Sequence, residues 1–446
     1  MLEELFIPKS IAIVGASNNK TKWGGRILSN IIGYTGLICP INPGETVVQG
    51  LTSYPSITEA PVCDLAIIVI PSSQVITTVD ECGRRGTKAI IVITAGFAEV
   101  GNKALEEELH AKVKQYNMRM LGPNTLGLAN NSINLNMSIM QSLPKKGNIS
   151  FVSQSGTMGL AIVEWAKEIG IGLCKIISVG NKTDIDDIDL LQYLDNDPDT
   201  NVIVMYIESI KRGREFLATA RHIKKPIVVL KVGRSKKGAK AAFSHTSSMA
   251  GADEIYSAAF KQAGIIRVDT LDDLFDAILV LSTQPIPKGN GVGILSNGGG
   301  AGIIAADEAE KFGIELPDLS KETVDKIKKV MPVFASASNP VDTTAISAFE
   351  TYRTICNTFI DNPEIHSILP IYVHDSVANS IPSAEAISSL ITEKTIIVCS
   401  MGGKGKEEGI KILEAAGIPV YPTPDRAVKA LSYLLEHKKF LSEVKI

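Results

Sequence analysis

The chain has 446 residues, 45% of them hydrophobic and 21% charged, with a formal net charge of −3. That length accommodates about two to four domains with sizeable cores, and the near balance of charge excludes broad nucleic-acid binding, which needs a basic excess. The N-terminus lacks the basic start and long apolar core of a secretory leader, and no apolar run approaches membrane length. A cytoplasmic, globular protein with neither a nucleic-acid nor a membrane partner is expected.

Residues 1–146 alternate strands with helices. Ser10–Ser17 reads as a buried strand running into a glycine turn, and Gly36–Pro43, Asp64–Pro71, Ala89–Gly96 and Met118–Gly122 follow at regular intervals. Near-continuous Ile/Val runs predict strands covered on both faces, hence a parallel sheet. The first turn, from Gly15 to Gly24, is not G-x-G-x-x-G, and no acidic residue convincingly ends the second strand. A plain nicotinamide site is therefore disfavoured. Small residues with Lys20 and Lys22 beside a helix start can still hold a pyrophosphate or a 3′-phosphate.

A second unit is expected over 147–281, with strands at Asn148–Ser153, Leu173–Val179, Val202–Ile207, Pro226–Leu230 and Gly264–Val268. Residues 282–290 carry two prolines and a glycine and read as a linker. A third unit over 291–446 has strands at Val292–Ser296, Ile368–Val373, Thr395–Cys399 and Val420–Tyr421. The six cysteines are scattered, without a CxxC pair or zinc spacing, and four sit in or beside apolar runs. Free buried thiols are expected, and no metal site is read in this chain.

Between the strand ending at Leu230 and a helical pattern starting near Ala252 runs a stretch with neither a two-residue nor a 3.6-residue apolar period, so it reads as a long loop. Its first half is basic, with Lys231, Arg234, Lys236, Lys237 and Lys240. Its second half places His245 among Ser244, Thr246, Ser247 and Ser248. A neutral imidazole has a free ring nitrogen that can take a phosphoryl group, and this setting suits phosphate or acyl chemistry. A solvated basic loop with an incidental histidine is the alternative.

An internal repeat frames that loop. Residues 152–171 align without gaps on 295–314, with Ser153/Ser296, Gly156/Gly299, Gly159/Gly302 and Gly170/Gly313 identical. Each copy reads as a strand, a Ser/Gly turn and an amphipathic helix closed by glycine. Such turns aim unpaired backbone N–H groups and the positive end of the helix dipole at whatever lies beyond them. A doubly charged phosphate is what two such helix starts would stabilise together.

With these residues in hand the chain resembles, over its whole length, the α subunit of ADP-forming acetyl-CoA synthetase. That family lies in the NDP-forming acyl-CoA synthetase superfamily, which includes succinyl-CoA synthetase. The resemblance rests on Ile13–Ser17, Ile93–Glu99, Leu121–Gly127, Val152–Gly156, Ser178–Lys182, Glu208, Ser244–Thr246 and Ala250–Gly251. It implies an α/β chain with an N-terminal Rossmann-like CoA-binding domain and two flavodoxin-like domains of the succinyl-CoA-ligase type. It implies that acyl-CoA and phosphate give acyl phosphate, from which phosphate passes to histidine and on to ADP. His245 matches the phosphorylated histidine and Glu208 the acidic residue that orients it. Ser153, Ser155 and Gly156, with Gly298, Gly299 and Gly300, match the phosphate-binding helix starts. Gly15, Ser17, Lys22, Pro71 and Gly96 are the candidates for CoA, and Asn124 lies in the motif near the thioester.

Departures from the superfamily pattern matter as well. No ATP-grasp segment is present, so ATP or ADP and its Mg²⁺ are expected on a separate β chain in an α2β2 heterotetramer. Thr125 stands where several succinyl-CoA synthetases have cysteine. The expected activity is that of an acetate–CoA ligase acting on a small carboxylic acid. A CoA-binding regulator without phosphoryl transfer is the alternative, disfavoured by the presence of His245, Glu208 and both glycine turns. A nicotinamide oxidoreductase is the third reading, disfavoured by the first turn.

Overall fold

Isoleucine and valine runs bounded by glycine turns build the first of three large sheets. Five parallel strands lie in the order Leu37–Ile41, Ser10–Val14, Leu65–Ile68, Ala89–Val92, Arg119–Leu121. Side chains alternate between faces, as the period of two requires. Ile11, Ile13, Leu65 and Ile67 enter one core, while Ala12, Val14, Ala66 and Ile68 enter another. The helix Ser72–Arg85 covers the second core with Val75, Val79 and Cys82, spaced to share one face. It ends on Gly86 at φ 87°, a left-handed cap that glycine adopts without strain.

The computed structural model describes every residue except 1, 236, 239–252, 345, 347, 375–379, 403–405 and 444–446. The chain divides into two units, Met1–Arg267 and Val268–Ile446. The first unit holds two large sheets because they share a core. The cluster containing Ile11 and Ile13 continues through Val152, Ile177, Ile203 and Met205 of the second sheet. Phe6, from the short helix Glu3–Phe6, stacks on Tyr193 at 3.9 Å in the same region.

The second sheet has seven strands, ordered Ile265–Val268, Ile227–Lys231, Val202–Ile207, Ile149–Ser153, Leu173–Ser178, Gly127–Asn130, Leu135–Ser138. The pairs made by Ile149–Ser153 and Val202–Ile207 are parallel. Gly127–Asn130 and Leu135–Ser138 form an antiparallel hairpin that extends the sheet. That hairpin precedes residue 147 and has only one or two apolar residues per strand, so its pattern did not announce it as strand. A smaller hairpin, Val47–Val48 with Leu51–Thr52, was likewise not anticipated.

In the second unit, strands lie in the order Val341–Asp342, Val292–Ser296, Ser367–His374, Val398–Gly402, Val420–Tyr421, with Thr395–Ile396 also on Ser367–His374. The stretch expected as one strand from Thr395 to Cys399 is two strands, parted at Ile397. The helix Leu271–Thr283 packs against the helix Pro424–Glu443, with Asp276 to Arg426 at 2.7 and 2.8 Å and Asp273 to Lys429 at 2.6 Å. All six cysteines are free and buried. Burial pushes the Cys82, Cys356 and Cys399 thiols up to about 12, so these sulfurs stay protonated and inert. No helix among the described residues is long and apolar enough to cross a membrane.

Candidate active site

The strand Val202–Ile207 is buried along its whole length and delivers Glu208 to the carboxyl edge of the second sheet, 6% exposed. The neighbouring strand Ile149–Ser153 is in register with it, Ser153 facing Tyr206. There the chain turns through Gln154 and Ser155 into the helix Gly156–Glu168. Ser153 Oγ donates to the Ser155 carbonyl at 2.7 Å, and Ser155 Oγ accepts from Met158 N at 3.5 Å, capping the helix. The same turn therefore brings Ser153, Ser155, Gly156 and Glu208 to one edge. Gln154 lies between the two halves, its Oε1 accepting from Glu208 N at 2.9 Å and Ser209 N at 3.0 Å.

The repeat is structural as well as sequential. In the second unit the helix Gly299–Lys311 starts 143 residues after its counterpart and has the same 13-residue length. Ser296 Oγ donates to the Gly298 carbonyl at 2.8 Å, as Ser153 does to Ser155. Val179 N donates to Ser153 O at 3.0 Å, and Thr343 N to Ser296 O at 2.9 Å. Asn297 repeats the bridging amide, donating to Val373 O at 3.0 Å and accepting from Val373 N at 2.7 Å. The copies differ in charge: Ser153 pairs in register with Ser178, whereas Ser296 pairs with Asp342. A Cβ on Gly299 would sit 2.7 Å from Asp342 Oδ2, so a side chain there must displace that carboxylate or the turn itself.

His245 lies outside the described residues, as do Ser244, Thr246, Ala250 and Gly251. The flanks of its segment are described. Lys231, expected at the start of the basic loop, is instead the last residue of the strand Ile227–Lys231 and only 2% exposed. The ladder carries the strand one residue further, because Ile207 pairs with Lys231. Lys231 Nζ lies 4.8 Å from the centre of the Tyr256 ring and donates to Val232 O at 2.5 Å. Burial and the Arg267 guanidinium push its ammonium down to about 8, against the pull of Asp253 and Glu208. Further along, Arg234 Nε meets Asp253 Oδ2 at 3.4 Å and Arg267 meets Asp253 Oδ1 at 2.5 Å. The two ends of the segment that carries His245 are thus brought together.

The first sheet has the strand order 2-1-3-4-5, whose switch point lies between Ser10–Val14 and Leu65–Ile68. Ligands of doubly wound sheets bind in that crevice, beyond the carboxyl ends of the strands. Gly15 sits there at φ 92°, and a Cβ on it would lie 2.3 Å from Val69 O. Pro71 follows on the other lip, exposed, and Gly96 ends the next strand's loop at φ 113°. Ser17 begins a turn in which its Oγ accepts from Asn19 N at 3.1 Å, and Gln49 Nε2 donates to Ser17 O at 2.9 Å. Lys22 is exposed immediately before the helix Trp23–Ile31. Gly24 and Gly25 allow that helix to start against the turn, since a Cβ on either would lie 2.0 Å from Gly15 O or 2.2 Å from Asn19 O. The close-packed backbone, helix start and exposed lysine fit a phosphate-bearing cofactor.

Asn124, exposed at φ 58°, joins this edge to the next sheet. Its amide donates to Asn181 Oδ1 at 3.2 Å, while Asn181 Nδ2 donates to Glu99 at 2.6 Å and Glu106 at 2.8 Å. Glu99 also accepts from Gly96 N at 2.5 Å and Phe97 N at 3.1 Å. Burial pushes the Glu99 carboxyl up, but these hydrogen bonds outweigh it and hold it below its ordinary value. Gln154, Asn181 and Lys182 lie within the motifs Val152–Gly156 and Ser178–Lys182, which in the sequence alone assign them no role. The local signal is a polar side chain on the turn after a buried strand, directly after it for Gln154 and three and four residues on for Asn181 and Lys182.

Residues 9–131 match the family described as CoA binding domain, 146–281 the succinyl-CoA ligase like flavodoxin domain, and 292–436 the Ligase-CoA domain. The chain is 40% identical to the ADP-forming acetate–CoA ligase I subunit alpha of Pyrococcus furiosus, covering 100% of this chain and 99% of that protein. It is also 40% identical to the ADP-forming acetate–CoA ligase of Methanocaldococcus jannaschii, covering 98% of this chain and 63% of that longer protein. Among solved structures, the dinucleotide forming acetyl-coenzyme A synthetase 1 of Ca. Korarchaeum cryptofilum, in complex with phosphate and ADP, superposes with a TM-score of 0.95 at 39% identity. It covers 100% of this chain and 99% of that one. At this identity over full length, the chain belongs to the family of ADP-forming acetate–CoA ligases, the ADP-forming acetyl-CoA synthetases.

Proposed function

We propose that this chain is the α subunit of an ADP-forming acyl-CoA synthetase that takes a small carboxylic acid, acetate foremost. CoA binds at the carboxyl edge of the first sheet, with Gly15, Ser17 and Lys22 receiving its phosphates and Pro71 and Gly96 flanking the crevice. Asn124 orients the acyl carbonyl. A phosphate oxygen attacks the thioester carbon, the C–S bond breaks, and the thiolate takes up a proton to leave as CoA. The acyl phosphate then meets His245. One ring nitrogen forms a bond to phosphorus while the bond to the acyl oxygen breaks, and the carboxylate departs. Glu208 accepts from the other ring nitrogen, fixing the tautomer and stabilising the charge that develops on the ring. Ser153, Ser155 and Gly156, and separately Gly298, Gly299 and Gly300, supply backbone donors for phosphate.

The phosphoryl group passes on to ADP. We place ADP, ATP and Mg²⁺ on a partner β chain with an ATP-grasp fold, the two chains forming an α2β2 heterotetramer in the cytoplasm. The observation that carries this reading is the joint delivery of Glu208 and the Ser153–Gly156 helix start to one sheet edge, next to the strand Ile227–Lys231 from which the sequence runs on toward His245. Its test is co-expression with an ATP-grasp β chain and an assay for ADP formation from ATP that requires both an acid and CoA. Turnover with acetate or another short acid is the expected result. Tight CoA binding with no turnover on any short or aryl acid would sink the reading and leave a CoA-binding regulator.

A further inference from the structure

We propose that Gln154 and Lys182 are positioning residues for the phosphoryl step, acting through Glu208; the proposal rests on the role given to Glu208 above. Gln154 Oε1 accepts three hydrogen bonds, from Glu208 N at 2.9 Å, Ser209 N at 3.0 Å and Lys182 Nζ at 3.0 Å. Its Nε2 donates to Ser209 Oγ at 3.1 Å. Lys182 Nζ has three acceptors: Gln154 Oε1, Asp187 Oδ2 at 2.8 Å and Ser209 O at 2.7 Å. The peptide units on either side of Glu208 are therefore held through their N–H groups, and the next unit through the Ser209 carbonyl. Rotation about the backbone there would swing the Glu208 carboxylate, and this clamp prevents it.

The clamp is more than turn formation needs. Lys182 and Asp187 are 2% and 3% exposed, and Lys182 sits at φ 53°, outside the usual range for a side-chain-bearing residue. Burying an ion pair gives little net stability, whereas a fully satisfied polar cluster does fix geometry. The second unit supplies the comparison within the same chain. There Asn297 bridges to the single residue Val373, and the position four residues past Asp342 is Ile346, where Lys182 stands four past Ser178. The same strand-to-helix turn forms without a lysine and without a glutamate. The elaborated version occurs where Glu208 has to present a carboxylate.

Lys182 also follows Asn181, whose side chain reaches Glu99 in the first sheet's loop. Lys211 Nζ closes the joint, donating to Asn181 O at 3.0 Å and Lys182 O at 2.8 Å. One dipeptide thus faces the CoA-binding edge with one side chain and the glutamate with the other.

The experiment uses the α chain assembled with its β chain and follows two half-reactions separately: CoA release from acetyl-CoA with phosphate, and transfer of label from acetyl phosphate to histidine. Gln154→Ala is expected to slow histidine phosphorylation at least tenfold in kcat, with CoA release and the KM for acetyl-CoA within twofold of the parent. Gln154→Glu keeps the acceptor oxygen and is expected to recover most of the loss. Lys182→Met combined with Asp187→Leu removes the ion pair without stranding a charge and is expected to act as Gln154→Ala does. Equal loss of both half-reactions, or no better rate with Glu than with Ala, overturns the proposal in favour of a structural role. Glu208→Gln separates the two ideas. If it abolishes histidine phosphorylation while Gln154→Ala does not, only the positioning role fails. If it leaves the step intact, the role of Glu208 and the clamp fail together.

Discussion

Asn181 donates its side-chain amide to Glu99 at 2.6 Å across 82 residues of sequence, and this bond ties the loop after a first-sheet strand to the edge of the second sheet. It also makes Glu99 a pH-dependent fastening. Because hydrogen bonds from Asn181, Gly96 and Phe97 overcome burial and hold the carboxyl low, ionised Glu99 favours the folded state. The contribution is fully present above the unfolded value, about 4.3 for glutamate, and is lost as pH falls through the lower folded value. Glu99→Gln is expected to flatten that part of the acid limb. Urea midpoints measured from pH 7 to pH 3 check it, and parallel curves for parent and variant would rule the fastening out.

Lys231 works in the opposite sense. Its ammonium is held down to about 8 by burial and Arg267, so between about 8 and the ordinary lysine value of about 10.4 the unfolded chain binds more protons than the folded one. Stability attributable to this residue therefore rises with pH across that window. Lys231→Met is expected to remove the rise and to stabilise the chain at pH 7 by on the order of 1–2 kcal/mol, the lost cation–π contact with Tyr256 offsetting part of the gain. Thermal unfolding at pH 7, 8, 9 and 10 is the measurement. An unchanged slope would mean that the ammonium is not destabilised by its site.

How much of this could be read from the sequence depends on what carried the signal. The Ile/Val runs announced the strands well, and Val202–Ile207, Val292–Ser296 and Val420–Tyr421 have the expected bounds. Burial on both faces leaves an unmistakable apolar run there. The hairpin Gly127–Asn130 with Leu135–Ser138 was not legible, because its polar residues Asn130, Asn136 and Ser138 are buried through hydrogen bonds rather than excluded from the core. The turn repeat was legible because it is local. Gln154, Lys182 and Asn181 were not, since their partners meet them only once parallel strands bring distant carboxyl ends to one edge. Lys231 is hidden for a different reason: a lysine two residues before a glycine reads as loop, and only the ladder shows that the strand includes it.

His245→Asn is expected to leave folding intact and abolish phosphoryl transfer. Labelled phosphate from acetyl phosphate should be covalently retained by the parent in an acid-labile, base-stable form and absent from the variant. His222 is the obvious competitor. It comes before the strand Ile227–Lys231, at the amino edge of the sheet, beside Gln192 and Asp195, whereas Glu208 stands at the carboxyl edge. Label persisting on the Asn variant would transfer the role to another histidine.

CoA binding by the full chain is expected to depend on Lys22 and on salt. Lys22 is exposed, so Lys22→Ala tests the contact without disturbing packing, unlike any substitution of Gly15, whose backbone has no room for a side chain. Titration calorimetry should show CoA affinity falling about three- to tenfold in the variant, with a shallower loss between low and high salt because one charge contact is gone. Equal affinity and equal salt slope would remove Lys22 from the site.

Gly299 gives the sharpest separation between phosphate and CoA. A Cβ there would lie 2.7 Å from Asp342 Oδ2, and that carboxylate is not free to retreat. Asp342 Oδ1 accepts from Thr344 N at 2.9 Å, and the Asp342 backbone is bonded both ways to Ser336, at 2.9 and 3.2 Å. A branched side chain must therefore push the helix start outward, turning the donors at the start of the helix Gly299–Lys311 away from their common focus. One residue on, a Cβ at Gly300 would meet nothing within 4 Å, so Gly300→Ala serves as the control for adding bulk to the same turn. Gly299→Val is expected to weaken phosphate binding at least tenfold and leave CoA binding within twofold, because the crevice proposed for CoA belongs to the first sheet. Gly300→Ala should change neither by more than twofold. Phosphate saturation of CoA release from acetyl-CoA measures the first quantity, and calorimetry with CoA the second. Unchanged phosphate dependence with a collapse of CoA affinity in Gly299→Val would mean that the glycine repeat serves the cofactor rather than phosphate.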